Sequence, residues 1–178
     1  MGALLEGLSG LQVVTPDGAT REITIRPFAA ADRTAVLAIG QAVIDDGTTF
    51  PFLEVGGVDR YWFHPESEVW VAELDGEVVG SYALKPNLPG RGDHICNAGY
   101  MVVPSHRGRG IGRALAVHSL ARARTRGFEA MQYNHVISTN PAVKLWESLG
   151  FAIVGEVPDA FRLPQDKRVS YYVMHRQL

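Results

Sequence analysis

The sequence is short of cysteine, of net charge and of long apolar runs, and each shortage excludes a class of protein. Its 178 residues include one cysteine, Cys96, so a disulfide within the chain is impossible and a cysteine-rich zinc site is excluded. The 17 basic and 19 acidic residues leave a formal charge of -2, without the basic excess that is typical of nucleic-acid binders. No apolar run approaches the roughly 18 residues of a membrane span. We therefore expect no nucleic-acid partner, no membrane span and no metal ion.

Targeting signals are also missing from the start of the sequence. No basic residue precedes Arg21, whereas a secretory signal peptide begins with positive charge. Glu6 stands where a myristoylation signal needs serine or threonine. The single cysteine fits a reducing compartment, so a cytoplasmic location is expected. The length suits one domain over residues 1–178, in which residues 1–20 form an N-terminal extension that supplies a hairpin strand.

The hydrophobic pattern predicts an α/β domain with a central mixed sheet. In chain order, the predicted elements are a β-hairpin, two helices, three strands, a helix, a strand, a helix and two strands. The strands are expected at residues 11–15, 20–26, 68–74, 77–85, 94–103, 130–136, 152–157 and 169–174. The helices are expected after Asp32, at residues 58–63, at residues 108–126 and between Asn140 and Gly150. Asn140 is the expected N-cap of the last helix, with Pro141 in its first turn.

Three glycines alternate where the third predicted helix begins, and the segment 107–113 that contains them is called the glycine turn below. A helix N-terminus presents free backbone N–H groups and a partial positive charge, which together bind anions. Gly108, Gly110 and Gly112 have no Cβ, so a phosphate can approach these amides closely. Arginines at three positions of the same turn add positive charge; they are Arg107, Arg109 and Arg113. The turn therefore predicts a phosphate site.

Two common phosphate loops do not fit this segment. A Walker A loop ends in Gly-Lys-Ser/Thr, whereas Gly112 is followed by Arg113 and Ala114. A dinucleotide fingerprint that starts at Gly108 needs a glycine at position 113, which is arginine. A glycine-rich turn with solubilising arginines is the alternative that remains.

Two motifs resemble those of the GCN5-related N-acetyltransferases. Arg107-Gly-Arg-Gly-Ile-Gly112 is similar to their acyl-CoA pyrophosphate signature, and Asn140-Pro-Ala-Val-Lys-Leu-Trp-Glu-Ser-Leu-Gly-Phe151 is similar to a second motif of the family. The resemblance covers roughly residues 20–176. It implies an α/β fold whose central mixed, mostly antiparallel twisted sheet has helices on both faces and a splayed central strand pair. It also implies a single N-acetyltransferase domain with acetyl-CoA as the co-substrate.

The resemblance further implies which residues bind acetyl-CoA. The strand before the glycine turn splays at a bulge in that family, and its backbone holds the pantetheine and the acetyl carbonyl. The residues that the resemblance assigns to cofactor binding are Met101, Val102, Val103, Arg107, Gly108, Arg109, Gly110, Ile111, Gly112, Arg113, Asn140 and Trp146.

The usual proton donor and base of the family are not found at their expected places. Trp146 replaces the tyrosine that protonates the leaving thiolate in many members, and an indole N–H is no proton source near neutral pH. Trp146 either packs against the pantetheine or belongs to the core. No carboxylate occupies residues 95–99, where many relatives place a glutamate base. His94 and His135 are expected to be structural or on the surface, so the acceptor amine can lose its proton through ordered water instead.

A narrower resemblance involves residues 85–91, 94–102 and 133–140. These segments are similar to the fungal N-acetyltransferases that detoxify proline analogues such as azetidine-2-carboxylate. That subgroup implies a homodimer. It also implies that asparagines act in the substrate site, and these correspond to Asn97, Asn134 and Asn140.

Strand alternation gives a geometric reason to expect two of these asparagine side chains close together. Asn97 shares a strand face with Met101, and Asn134 shares one with Gln132. If those faces line the space between the splayed strands, Asn97 and Asn134 project together toward the acceptor. The alternative is that both are buried asparagines that support the strand ladder. Cys96 faces the other way and is expected to be a small core residue.

The sequence therefore predicts an acetyl-CoA-dependent N-acetyltransferase that acts on a small amine, such as a proline-like amino acid. The amine would attack the thioester directly in a ternary complex. Residues 45–66 contain several aromatic side chains and are expected to form a lid over a small pocket. Acetylation of a protein or peptide amine and non-catalytic sensing of acyl-CoA are the two alternatives.

Overall fold

The computed structural model describes residues 11–14 and 18–178, so the predicted turn at residues 16–19 lies partly outside the described residues. Its strands are β1 (Leu11–Val14), β2 (Thr20–Pro27), β3 (Glu68–Leu74), β4 (Glu77–Pro86), β5 (Ile95–Val102), β6 (Ala130–Ile137), β7 (Ala152–Arg162) and β8 (Arg168–Gln177). Its α-helices are α1 (Arg33–Asp46), α2 (Val55–Trp62), α3 (Ile111–Thr125) and α4 (Ala142–Ser148). The chain order of strands and helices is the predicted one.

The strands form one sheet in the order β1-β2-β3-β4-β5-β6-β8-β7. Every neighbouring pair is antiparallel except β5 and β6, which are parallel and pair only at Ile95 with Ala130 and at Cys96 with Met131. Beyond these two positions the central strands part, and the space between them is called the gap below. The predicted mixed, mostly antiparallel sheet with a splayed central pair is therefore confirmed.

Helices cover both faces of the sheet, because side chains of each central strand alternate between two apolar clusters. Helices α1 and α2 enclose one cluster, in which Met101 of β5 packs with Trp62. Helices α3 and α4 enclose the other cluster, which contains Cys96 and Ala98 of the same strand. The predicted alternation is confirmed, and Cys96 is a fully buried core residue.

Three local expectations differ from the structure. Helix α3 begins at Ile111 instead of residue 108, because Gly110 has a left-handed backbone with φ of 91°. The closing strands are longer than expected, since β7 and β8 pair as far as Arg162 with Arg168. The bulge expected in β5 is absent from its continuous register with β4, and the register shift lies in β6 between Tyr133 and Val136.

The aromatic segment at residues 45–66 reaches the core through Val58 and Trp62 of α2, while most of its other side chains are half-buried or exposed. Trp62 is completely buried, and its indole N–H donates a hydrogen bond to Ser81 Oγ over 2.9 Å. Ser81 in turn donates to the Trp70 carbonyl at 2.8 Å. Helix α2 is therefore fixed against β3 and β4 by both packing and hydrogen bonds.

On the other face, α3 contributes a histidine that stays neutral in the folded protein. His118 Nδ1 shares a hydrogen bond with the Tyr82 hydroxyl at 2.8 Å, and the Trp70 ring lies 4.5 Å from its ring centroid. Burial, helped by the positive charge of Arg122, lowers the pKa of His118 to about 4. An unfolded histidine has an ordinary pKa of about 6.5.

This difference predicts a pH dependence of folding stability. Between pH 6.5 and 4 the unfolded chain binds a proton at His118 that the native chain rejects. The contribution of His118 is therefore complete above pH 6.5, and the free energy of unfolding falls as the pH is lowered toward 4. Denaturant titrations should show a shallower fall for His118→Gln than for the unchanged protein. Equal slopes would contradict the assignment.

Candidate active site

The glycine turn joins β5 to α3 and leaves the first amides of the helix without helical acceptors. Gly110 is the N-cap, and its carbonyl accepts the first intrahelical hydrogen bond from Ala114 N–H at 2.9 Å. The N–H groups of Ile111, Gly112 and Arg113 therefore point out of the helix end, where its dipole is positive. This arrangement suits an anion.

The turn is also open enough for an anion to reach these amides. A Cβ placed at Gly108 would meet no atom within 4 Å, and one at Gly110 would meet only Val13 Cγ1 at 3.9 Å. Among the three arginines of the turn, Arg107 pairs with Asp46 at 3.1 Å and Arg113 donates to Ser148 Oγ at 3.0 Å. The third, Arg109, has a buried Nε without a hydrogen-bond partner in the described part of the chain.

One backbone residue before the turn faces the gap. Val103 N–H donates to Val79 O of β4 at 2.9 Å, and adjacent residues of a strand direct their backbone groups to opposite edges. The N–H and C=O of Val102 therefore point toward the side from which β6 has departed. The backbone groups of Met101 and Val103 point toward β4. Of the three residues predicted here, only Val102 has its backbone groups directed into the gap.

Asn97 bridges the two central strands where their ladder ends. It directly follows the last paired residue of β5, and its Nδ2 donates to the Gln132 carbonyl of β6 at 2.7 Å. Its Oδ1 accepts a hydrogen bond of 2.8 Å from the Tyr61 hydroxyl. The Asn97 side chain is buried and both ends of its amide are bonded, so its position is fixed.

Asn134 belongs to the same polar group. Its Oδ1 accepts from Gln132 Nε2 at 2.8 Å, and its Nδ2 donates to Asn87 Oδ1 at 2.7 Å. We call Asn87, Asn97, Gln132 and Asn134 the amide cluster. Through Gln132, the structure brings together the two asparagines that strand alternation placed on one side of the gap.

Asn140 forms structural hydrogen bonds at the start of α4. These bonds account for its position, so no catalytic role is needed to explain it. Its Oδ1 accepts a hydrogen bond of 2.9 Å from the N–H of Ala142, the first residue of α4. The N-cap position itself is Pro141, so Asn140 lies one residue before the cap that the sequence predicted for it. Asn140 Nδ2 donates to Thr49 Oγ1 at 3.4 Å. Asn140 forms no hydrogen bond to the amide cluster among the described residues.

The Trp146 side chain projects from α4 into the core and packs against the sheet. Its ring centroid is 4.9 Å from those of both Tyr100 and Tyr133, and the side chain is almost fully buried. The hydroxyls of these tyrosines share a hydrogen bond of 2.9 Å. Burial raises the pKa of Tyr133 and of Tyr100 well above the ordinary value, so neither hydroxyl ionises near neutral pH.

Among the described residues, neither Cys96 nor His135 forms a side-chain hydrogen bond to the amide cluster. Burial raises the pKa of Cys96 to about 12, which keeps its thiol protonated and unreactive. His135 is exposed, and its ring meets the edge of Tyr171 with centroids 4.9 Å apart. Burial of part of that ring lowers the pKa of His135.

Sequence reasoning missed two side chains that the structure adds to the cluster. Tyr61 reaches it from α2, and Lys85 of β4 is paired with Asn97 in the antiparallel register. The Lys85 ammonium lies 4.3 Å from the centroid of the Tyr61 ring. Lys85 begins one of the segments that resemble the fungal enzymes, but the sequence did not fix its register against β5.

Residues 45–66 touch three separate parts of the site. Asp46 pairs with Arg107 of the glycine turn, Thr49 bonds to Asn140, and Tyr61 bonds to Asn97. Hydrogen bonds from Thr48 and Arg107 lower the pKa of Asp46 and keep it charged. One continuous segment therefore connects the glycine turn, the start of α4 and the amide cluster.

Two further observations concern the described residues as a whole. None of their helices is both long enough and apolar enough to cross a membrane. Residues 11–14 and 18–178 also contain no group of three or more His, Cys, Asp or Glu side chains placed to hold a metal ion.

Residues 39–151 match the model of the acetyltransferase (GNAT) family, and the chain belongs to this family. A GCN5-related N-acetyltransferase from Kribbella flavida has a similar structure, with a TM-score of 0.81 and 40% sequence identity; the match covers 88% of this chain and 98% of that one. The yncA protein of Salmonella typhimurium, solved with its cofactor acetyl-CoA, shares the fold with a TM-score of 0.78, 23% identity and coverage of 89% and 95%.

Curated relatives support the same assignment over shorter stretches. N-acetyltransferase aca1 of Schizosaccharomyces pombe is 43% identical over 102 residues, which are 56% of this chain and 49% of that protein. Mycothiol acetyltransferase of Thermomonospora curvata is 34% identical over 146 residues, or 79% of this chain and 46% of that protein. This chain thus spans about half the length of these two relatives. The predicted resemblance to the family and to a fungal N-acetyltransferase is confirmed.

Gly99 allows Tyr61 to reach the amide cluster, and this predicts the effect of adding a methyl group. A Cβ at Gly99 would lie 3.1 Å from Tyr61 Cε1 and 3.2 Å from Trp62 Cζ3. Since Trp62 is held by Ser81, Tyr61 is the ring that must move. Gly99→Ala should lower the free energy of unfolding by about 1–3 kcal/mol in denaturant titrations.

Gly155→Ala is the matched control, because it adds the same methyl group to a strand glycine with room around it. Its Cβ would be 3.8 Å from the nearest atom, which belongs to Val173. We expect this variant to be at least as stable as the unchanged protein. Equal stability of the two variants would show that Gly99 is not needed for close packing.

Proposed function

We propose that this protein transfers the acetyl group of acetyl-CoA to the nitrogen of a small amine, within a ternary complex. The observation that carries the proposal is the position of the gap. It lies between the amides at the start of α3, which suit a phosphate, and the amide cluster, whose members lie on β5, on β6 and directly after β4. A cofactor bound by its phosphates at the glycine turn could extend its thioester along β5 into this gap.

In this proposal the pyrophosphate binds the N–H groups of Ile111, Gly112 and Arg113. Gly108 and Gly110 keep the approach open, and the three arginines of the turn supply positive charge. Val102, whose backbone groups face the gap, is the residue best placed to hydrogen-bond the pantetheine or the acetyl carbonyl. A backbone donor at the developing oxyanion typically contributes about 10²–10³ in rate.

For acetyl transfer, the main task of the protein is to position the amine next to the thioester. The neutral amine nitrogen attacks the thioester carbonyl carbon, the carbon–sulfur bond breaks, and the thiolate of CoA leaves. Proximity of the two reactants can contribute about 7–11 kcal/mol in favourable cases. Since Trp146 and Cys96 cannot exchange the protons, we propose that ordered water carries them from the amine and to the thiolate.

The amide cluster is proposed as the acceptor site, with Asn97 and Asn134 as the residues that orient the amine. Asparagine amides offer donors and acceptors without net charge, which suits a small polar molecule such as a proline-like amino acid. Asn140 and Trp146 are proposed to act indirectly. Asn140 binds the first N–H of α4, and Trp146 forms the apolar wall behind the thioester.

A homodimer in the cytoplasm, with one acetyltransferase domain over residues 1–178, completes the proposal. Strand β7 ends the sheet and exposes three apolar side chains, Ile153, Val154 and Val157. An exposed apolar edge strand is a surface on which a second chain can pair. Sedimentation equilibrium measures the oligomeric state directly.

The glycine turn gives a sharp test of cofactor binding. Gly110→Ala forces a side chain into the left-handed backbone, at a cost of about 1–2 kcal/mol, and turns the first amides of α3 away from the phosphate. We expect the Kd for acetyl-CoA to rise by at least about tenfold in isothermal calorimetry, which corresponds to about 1.4 kcal/mol.

Gly127→Ala is the control for backbone strain. Gly127 also has a positive φ, of 81°, and a Cβ there would meet no atom within 4 Å, but it lies at the opposite end of α3. Its replacement should cost similar stability and leave the affinity for acetyl-CoA unchanged. A similar loss of affinity in both variants would contradict a phosphate site at the glycine turn.

Release of free CoA thiol with a panel of amines tests the activity itself. Asn134→Ala should lower kcat/KM for the amine by about 10–100-fold and leave the Kd for acetyl-CoA unchanged, because it removes polar contacts on the acceptor side only. Normal kinetics in this variant would remove Asn134 from the acceptor site. Acetylated proteins without small-molecule turnover would indicate a protein acceptor, and acetyl-CoA binding without any transfer would indicate a sensor.

A further inference from the structure

Lys85 carries a positive charge at the edge of the amide cluster. The reaction proposed above gives this residue no role. It lies directly opposite Asn97 in the antiparallel pairing of β4 and β5, so the two side chains project from the same face of the sheet. Its ammonium lies over the Tyr61 ring, and the Tyr61 hydroxyl bonds to Asn97. Lysine, tyrosine and asparagine therefore form one contiguous patch beside the gap.

Within the described part of the chain, Lys85 forms no ion pair with a carboxylate, in contrast to the surface arginines that are paired with Asp75, Asp59 and Glu68. The negative charge of Glu66 acts on Lys85 without forming an ion pair with it. Lys85 is half-buried, and this partial burial lowers the pKa of its ammonium group. A half-buried cation without an anion is unfavourable unless a ligand supplies the negative charge.

We propose that Lys85, held in place by Tyr61, binds the carboxylate of the acceptor, so that the enzyme acts on amino acids in preference to other amines. This inference rests on the proposed acetyl transfer and adds to it the residue that binds the carboxylate of the acceptor. One cation among neutral amides matches a molecule with one negative group. The amide cluster beside Lys85 would then bind the rest of the acceptor and direct its nitrogen toward the gap.

The proposed anchor differs from a catalytic base in what its loss would change. A base acts on the amine of every acceptor, so its removal lowers kcat for all of them and alters the pH profile. A carboxylate anchor affects only acceptors that carry a carboxylate. The ratio of two kcat/KM values, for an amino acid and for its carboxamide, separates these roles.

The experiment measures this ratio with L-proline and L-prolinamide, using acetyl-CoA as donor, for the unchanged protein, Lys85→Met and Lys85→Arg. We expect Lys85→Met to reduce kcat/KM for L-proline by about 10–100-fold and to change that for L-prolinamide less than about threefold. Lys85→Arg should retain most of the preference, because it keeps the charge. The different basicity of the two amines cancels when the ratio is compared between variants, and so does the active fraction of each preparation.

Lys144→Met is the matched control, since it removes an exposed lysine of α4 in the same way. It should leave the ratio unchanged. An equal loss with both acceptors in Lys85→Met, or a ratio that this variant leaves unchanged, would overturn the proposal. If the unchanged protein acetylates neither compound, the proposed activity on such amines fails. Calorimetric binding of the same two compounds to the unchanged protein and to Lys85→Met then decides the anchor separately: tighter binding of L-proline that depends on Lys85 supports it, and its absence overturns it.

Discussion

The early parting of β5 and β6 is the constraint on which the site depends. The two strands pair at two positions, and at the next residue of β5 the side chain of Asn97 takes the place of a ladder bond by donating to the Gln132 carbonyl. A side-chain bridge keeps the strands in register but leaves their backbones farther apart than a ladder would. The gap opens from there toward Val102, whose backbone groups are directed into it. The fold thereby opens a space inside an otherwise continuous sheet, and this is the space in which we propose that the thioester binds.

Residues 45–66 fix the surroundings of the gap from one side of the sheet. The segment contacts Arg107 through Asp46, Asn140 through Thr49 and Asn97 through Tyr61. Its anchor is Trp62, which is completely buried beside Tyr61. A rigid core residue therefore determines how far Tyr61 reaches, and Tyr61 in turn positions both Asn97 and Lys85. This one stretch of chain therefore couples the glycine turn to the amide cluster, which are the proposed cofactor and acceptor sites.

The sequence was most informative where structure is set locally. Hydrophobic period and turn residues gave the order of all strands and helices, and alternate glycines identified the turn at the start of α3. The boundaries of α3 and of the closing strands differ from the predicted ones, because the backbone of Gly110 and the pairing of β7 with β8 determine them. Contacts between distant segments, such as Tyr61 with Asn97, could not be derived, since strand register and helix packing decide them. The bulge that was expected in β5 lies in β6 instead, and strand register decides its position as well.

The most direct test of this account is a crystal structure of the protein with acetyl-CoA. The account predicts pyrophosphate oxygens within hydrogen-bond distance of the N–H groups of Ile111, Gly112 and Arg113. It also predicts the thioester in the gap, with its carbonyl or the adjoining pantetheine bonded to the backbone of Val102. A cofactor whose thioester lies outside the space between β5 and β6 would contradict the account.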